Sequence, residues 1–345
     1  VGRGNIIGLI VLAVLVAVFP LVMTSPYYLR VMNFAGIYCM ICIGLSLLLG
    51  YAGQISIGQA GFFAIGAYSS GIFTVHFGWN PWLAMLVGIV LNCIVAFIVG
   101  TPTLKLRGHY LAMATLGIGE IIHVAAVADL EDFTSLFQKV AVWFGADATK
   151  ARAALEPFSE LTGGPSGFAG IPPLGIGAWQ VSEPWQWFYL IWIVILVAMA
   201  LSLNLIHSRI GRALRAIHGN EEAARAMGIN TAPLKVRIFI ISAVAASIAG
   251  SFYAHFVTFI SPDTFTINDS ILFLVMVAVG GMMNVWGAVV GSLIMATLPE
   301  SLRFFHDYDI LMYGLVLLLI MMFMPDGIVG LVTRLRTGLV SKLTR

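Results

Sequence analysis

Charge is what this chain has least of. Only 10% of its 345 residues are Asp, Glu, Lys or Arg, against about 25% in an ordinary soluble domain, and mean hydropathy is +0.97. That excludes a soluble enzyme and implies an all-α, polytopic integral membrane protein, because about ten helices of ~20 residues use up nearly the whole length. A phosphate-binding G-x-x-x-x-G-K-S/T loop is also missing, so the chain cannot bind ATP in that way. A net charge of +2 offers no basic surplus for nucleic acid, and none is expected as a partner. Of three cysteines, Cys39 and Cys42 imitate half of a redox or zinc site. With no second pair and only apolar neighbours they read, like Cys93, as buried inert thiols; no metal and no cofactor are expected.

What is present is a series of apolar runs. Ten candidate spans lie near 6–23, 31–50, 60–78, 82–100, 110–128, 185–206, 236–260, 270–283, 285–302 and 310–324. The first lacks a small-residue cleavage site and is expected to be an uncleaved span. Lys and Arg set the orientation. With the N-terminus cytoplasmic, that side collects Arg3, Lys105, Arg107, Arg209, Arg212, Arg215, Arg225, Lys235, Arg237, Arg334, Arg336, Lys342 and Arg345, which is 13 of the 18 basic residues. Both termini are then cytoplasmic, 207–235 is a cytoplasmic loop, and 129–184 is external. The Gly/Pro-rich "ELTGGPSGFAGIPPLGIG" implies turns in that external segment, preceded by one amphipathic helix near 133–155. It is a plain loop or a docking surface for an external partner.

Glycines and amides interrupt two of the runs. "LLLGYAGQISIGQAGFFAIGAYSSG", 47–71, places Gln54, Ser56 and Gln59 among glycines that include Gly58 and Gly61. Irregular backbone at membrane depth survives only where protein or a water-filled cavity covers it. These residues therefore read as the wall of a translocation pathway, or alternatively as tight helix packing through small residues. "VAVGGMMNVWGAVVGSLI", 277–294, looks similar, and one such stretch in each half suggests inverted repeats with partly re-entrant helices. Its Gly287 and Gly291 mark close helix approach. Thr115 and Glu120 sit in another apolar run, and a carboxylate there should face the bundle or a cavity. His123, three residues on, is a partner on the same helical face, for structural pairing or for a proton relay.

Against this background "GRALRAIHGNEEAARAMGIN", 211–230, is polar. Asn220 suits an N-cap, Glu221 and Glu222 place negative charge in the first turn, Arg225 forms an i,i+4 pair with Glu221, and Gly228 suits C′. A helix of about two turns is marginal alone and needs something to pack against. Its small or flexible apolar residues, Ala223 and Ala224 among them, suit insertion into a groove of a motor subunit; the residues equally allow a helix lying on the membrane surface.

"EAARAMG", 222–228, resembles the E-A-A-x-x-x-G core of the coupling loop of importer permeases driven by ATP-binding-cassette subunits. "GYAGQISIGQAGFFAIGAY", "LKLRGHYLAMATLGIGEII", "LTGGPSGFAGIP", "YAHFVTFISPDTF" and "FMPDGIVGL" occur in the order seen in the LivM-type permease of branched-chain amino acid importers. The resemblance covers about 31–331, although 133–160 is longer and more charged than is usual in the family. It implies one permease domain over 1–345 in a bacterial inner membrane, paired with a homologous second permease, two cytoplasmic ATPase subunits and a periplasmic binding protein for leucine, isoleucine or valine. The chain itself would not be an enzyme. It also implies that Arg212, Arg215, Asn220, Glu221, Glu222, Ala223, Ala224, Arg225 and Gly228 form the coupling surface. The rivals are a urea or short-chain amide importer permease of the same superfamily, and a proton-coupled secondary transporter using Glu120 and His123.

Overall fold

The computed structural model describes residues 3–23, 25–104, 109–127, 163–176 and 179–302, and beyond them 314, 315, 317–319, 322, 324 and 327–331. The expected helix near 133–155 and most of the expected span 310–324 lie outside the described residues. The helices are α1 (Arg3–Val22), α2 (Pro26–Ser46), α3 (Gln59–Val75), α4 (Pro81–Thr103), α5 (His109–Val127), α6 (Pro184–His207), α7 (Arg209–Gly219), α8 (Glu221–Ala226), α9 (Thr231–Val257), α10 (Ile267–Gly280) and α11 (Val285–Leu302). Proline at N1 starts α2, α4 and α6, where its missing N–H would have no helical partner anyway. Asn80 caps α4 by accepting from the Trp82 N–H at 3.0 Å.

Among the described residues, seven helices are long and apolar enough to cross a membrane. Two of the expected spans are shorter than expected: α3 has 17 residues and α10 has 14. At 1.5 Å per residue they rise only about 25 and 21 Å, short of the ~30 Å hydrocarbon core. Each follows a long helix and a stretch of non-helical backbone. α2 runs into a π-helical turn, Leu47–Tyr51, and then into non-helical chain at 53–58. α9 ends at Thr258 with φ 61°, followed by β4 (Phe259–Ile260) and a 3-10 turn, Pro262–Phe265. The second interruption therefore precedes α10, at 258–266, and 277–294 is a tight hairpin between α10 and α11. There Gly287 and Gly291 do bring the two backbones together, since a side chain at either would meet backbone of α10 or of the turn that follows it.

The two interruptions face opposite ways. The chain after α2 reaches α7, where Gly53 lies against His218. α9 starts on that same face, beside Glu221 of α8, and ends where β4 pairs antiparallel with β1 (Phe168–Ala169). Long helix, break, short helix, long helix is thus traced once in each half and in opposite senses, the geometry of an inverted repeat. The Gly/Pro-rich segment before α6 closes the far end. β2 (Gly175–Ile176) pairs with β3 (Trp179–Gln180), Trp82 Nε1 donates to the Gly175 carbonyl at 3.1 Å, and the Phe168 and His76 rings stack at 5.5 Å. His255 of α9 ties it down, Nδ1 donating to the Pro172 carbonyl at 2.7 Å while Nε2 accepts from Ser70 Oγ at 2.8 Å.

The core is built on α3 packed against α9, where backbones meet through small residues. A side chain at Gly66 or Gly250 would strike the carbonyl of Ser247 or Phe63. Lipid tails are as apolar as leucine, so close packing and interhelical hydrogen bonds hold such helices together rather than a hydrophobic drive. The hydrogen bonds here are Gln59 Nε2 to Ser242 Oγ at 3.1 Å, Ser251 Oγ to the Gly66 carbonyl at 3.1 Å and Asn92 Nδ2 to the Phe62 carbonyl at 3.2 Å. Phe63 stands edge-on to Tyr253, Phe265 and Phe273, filling the space between α3, α9 and α10. Cys39 and Cys42 are buried in α2 as expected; Cys93 is only half-buried. Gly250→Val should cost about 3 kcal/mol by overpacking and lower the detergent-solubilised melting temperature, while Val257→Ala, at the end of the same helix, should not. Equal melting temperatures would show that α3 and α9 have room to spare.

Candidate functional site

Two groups of residues draw attention, one on the α7–α8 face and one where the broken helices meet. On the first, Asn220 Oδ1 accepts from the N–H groups of Glu222 and Ala223 at 2.9 and 3.0 Å. At the other end Ile229 N donates to the Ala224 carbonyl and Gly228 N to the Arg225 carbonyl, a Schellman closure that needs the positive φ of 82° found at Gly228. The cap, the two-turn length and the terminator are as expected from the sequence. α7, by contrast, is a second helix that those signals did not announce. Its Leu214 and Ile217 are buried, and Arg212 and Arg215 donate to the carbonyls of His207 and Ile206 at 3.4 and 3.3 Å, capping the end of α6.

Glu221 is the fixing point of α8. Its Oε1 accepts from Arg225 Nη2 at 2.7 Å and from Thr231 Oγ1 at 3.1 Å, and its Oε2 pairs with Lys235 Nζ at 2.6 Å. The Lys235 side chain is 2% exposed. Sequence reasoning found the Arg225 partner and missed Lys235; the only signal was a lysine one turn into an apolar span. Burial pushes the Glu221 carboxyl up, but the hydrogen bond and charge of Lys235, with Thr231 and Arg225, outweigh it and hold the group below its ordinary value. The outward surface of α8 is left open: Glu222, Ala223, Ala226 and Met227 are exposed, Met227 at 83%, while Ala224 is buried.

At the second place, the structure brings Gly58, Gly61, Thr115 and Glu120 to the contact of α3 with α5, with the buried Ser56 just before them in the chain. Thr115 Oγ1 accepts from the Ile57 N–H at 3.0 Å, and side chains at Gly58 and Gly61 would meet Thr115 and Gly119. Ser270 of α10 reaches the same point, its Oγ accepting from the Ala60 N–H at 3.0 Å, so the first turns of the two short helices meet there. Glu120 lines a narrow crevice beside them with Ile57, Gly119, Thr266 and Ser270. Gln59 lies on the other side, toward Ser242 of α9, and Gln54 Nε2 folds back on the Ala52 carbonyl at 3.0 Å. Among the described residues, Ser56 Oγ and Gln59 Oε1 are buried with no hydrogen-bond partner. The expected pairing of Glu120 with His123 is not formed: Glu120 is exposed, and His123 Nδ1 is buried with no partner among the described residues. Helical phase puts the two on one face, but spacing alone does not make them bond: Glu120 is exposed and His123 half-buried.

The arrangement links the two places. α7 touches the start of the first break through His218 and Gly53, and α8 is bonded to the start of α9, the helix that leads to the second break. Loss of one partner from a buried pair leaves an uncompensated charge, so Glu221→Gln should loosen α8 by about 3 kcal/mol. Hydrogen exchange over 221–229 would measure it, and unchanged protection would show that the pair adds nothing. Because the Glu221 value is lowered on folding, this stabilisation is complete above the ordinary glutamate range and is lost as pH falls through the lowered value. Protection of α8 should therefore hold at neutral pH and fail first in acid.

Residues 27–325 match the family described as branched-chain amino acid transport system / permease component. The high-affinity branched-chain amino acid transport system permease protein LivM of Escherichia coli (strain K12) is 28% identical over 343 residues, covering 93% of this chain and 74% of that protein. LivM of Salmonella typhimurium is 28% identical over 315 residues, covering 85% and 67%. The permease protein LivH of the same Escherichia coli strain is 26% identical over 307 residues, covering 85% and 91%. No solved structure matches the chain.

Proposed function

The chain belongs to the family of branched-chain amino acid transport system permease components, and from that membership we propose that it is a membrane subunit of an ATP-driven importer of leucine, isoleucine and valine. It is a transport permease subunit rather than an enzyme. ATP hydrolysis falls to two partner ATPase subunits on the cytoplasmic face, a homologous permease completes the membrane unit, and a periplasmic binding protein delivers the solute. Both termini are cytoplasmic in this reading, 1–345 forms one permease domain, and the Gly/Pro-rich segment before α6 faces outward in a bacterial inner membrane.

The observation that carries the reading is the construction of α8: a helix too short to stand alone, capped at both ends, riveted to α9 on one side and exposing Glu222, Ala223, Ala226 and Met227 on the other. That exposed surface, with Arg212 and Arg215 on α7, is the proposed seat of an ATPase. A push on α8 reaches α9 through Glu221 and Lys235, and reaches the first break through α7 and Gly53. The proposed route runs past Ser56, Gly58, Gly61, Thr115 and Glu120, with Gln54 and Gln59 supporting the irregular backbone.

Two tests follow from this reading. Gly228→Val places a β-branched residue at φ 82° with nothing within 4 Å of its Cβ, so its effect comes mainly from backbone strain. It should misplace the end of α8, and Glu222→Lys with Ala223→Trp should spoil the docking surface directly. Both variants should reach the membrane and lose most binding-protein-stimulated ATP hydrolysis in reconstituted complexes; full stimulation and uptake in both would reduce α8 to a connector. Glu120→Gln should keep most uptake, because the exposed Glu120 carboxylate has no ion-pair partner among the described residues. Abolished uptake at normal membrane abundance would favour a proton-coupled carrier instead.

A further inference from the structure

Beside α8 the bundle holds a cleft of about 580 Å³ between α4 and α9. One end is apolar and is walled by Phe97, Val236 and Ile240. Phe97 is 58% exposed on α4, next to Ile98 at 64%, on a helix long and apolar enough to cross a membrane. Arg225 and Arg237 stand at the cleft with Thr101 of α4. The carboxylate that lines it, Glu221, is engaged on both oxygens, by Arg225 and by Lys235 outside the cleft. Two cations therefore share one carboxylate and Arg237 adds a third positive charge, so positive charge is in excess. Arg237 has no hydrogen bond or ion pair among the described residues, although its guanidinium carries five donors in a fixed fork that matches a phosphate.

We propose that this cleft binds an anionic phospholipid, its phosphate on Arg237 and Arg225 and an acyl chain along Phe97 and Ile240. A basic pocket between membrane helices at the headgroup level is the arrangement that selects such lipids. A free anion would leave the apolar wall uncovered, and a zwitterionic headgroup brings its own cation to the two arginines. Because Arg225 also bonds Glu221, an occupied cleft bears on the network that holds α8, so lipid charge regulates how firmly α8 is seated. The site stands whichever solute is carried, and its readout is lipid binding rather than transport.

The test is native mass spectrometry of the full chain, purified with its partners and delipidated, then titrated with phosphatidylglycerol, phosphatidylcholine or inorganic phosphate. The wild type should retain phosphatidylglycerol. Arg237→Gln should bind it about fivefold more weakly, the loss expected for one cation at the membrane surface. Arg237→Lys should recover part of that loss, and Ile240→Trp, which fills the apolar wall without touching charge, should lower binding independently. Phosphatidylcholine binding should be weak and unchanged throughout. Equal phosphatidylglycerol binding by wild type, Arg237→Gln and Ile240→Trp would overturn the proposal. So would phosphatidylcholine binding as tightly, displacement of the lipid by inorganic phosphate, or a crosslink from Ala232→Cys to a partner subunit showing that protein fills the cleft.

Discussion

A backbone that stops being helical inside an apolar bundle must find partners for its N–H and C=O groups, and most of this structure follows from how two interruptions meet that demand. At 53–58 the Gly53 and Gln54 N–H groups reach back to Leu49 and Leu48, and Ile57 and Ala60 donate to the hydroxyls of Thr115 and Ser270. Those hydroxyls come from α5 and α10, so satisfying the break requires both helices to stand close to α3. Glycine at Gly58 and Gly61 is what allows α5 to come that near. The second interruption is covered differently, by pairing Phe259 and Ile260 with β1 and by a 3-10 turn.

The same economy explains the polar face of the molecule. α8 is too short to be stable by its own hydrogen bonds, and its position depends on a nearly buried ion pair, Lys235 with Glu221. Such a pair contributes little net stability over an apolar replacement but penalises any geometry that separates the charges. A displaced α8 must carry the start of α9 with it or leave a lysine without a counter-charge, which is what the proposed coupling role requires. α7 adds a second attachment at the π-helical end of α2, where Arg215 and His218 approach Tyr51 and Gly53. A small element at the membrane boundary thereby touches the long helices of both halves.

Much was legible in the sequence because the physics there is local. Low charge and runs of apolar residues give membrane helices by composition alone, and nine of the ten expected spans coincide with described helices. Asn220 and Gly228 act within one turn of their own position, so the ends of α8 could be read from residue type. The glycines and amides of 47–71 announced an interruption because no lipid-facing helix has a use for them.

What required the tertiary structure was every pairing between distant segments. Lys235 looked like one more cytoplasmic cation until α9 brought it under α8, and α7 was hidden because its helical signal is a stripe of three apolar residues whose partner surface lies elsewhere in the chain. The second break was misplaced into the Gly-rich 277–294 because glycine serves a tight hairpin and a close helix contact as readily as an interruption. Glu120 and His123 share a helical face by spacing, yet one is exposed, the other half-buried, and they do not pair. Composition and short-range signals determine which segments are helical and where they start and stop. Which of their polar groups meet depends on packing among helices that lipid neither drives together nor distinguishes, so only the assembled bundle decides it.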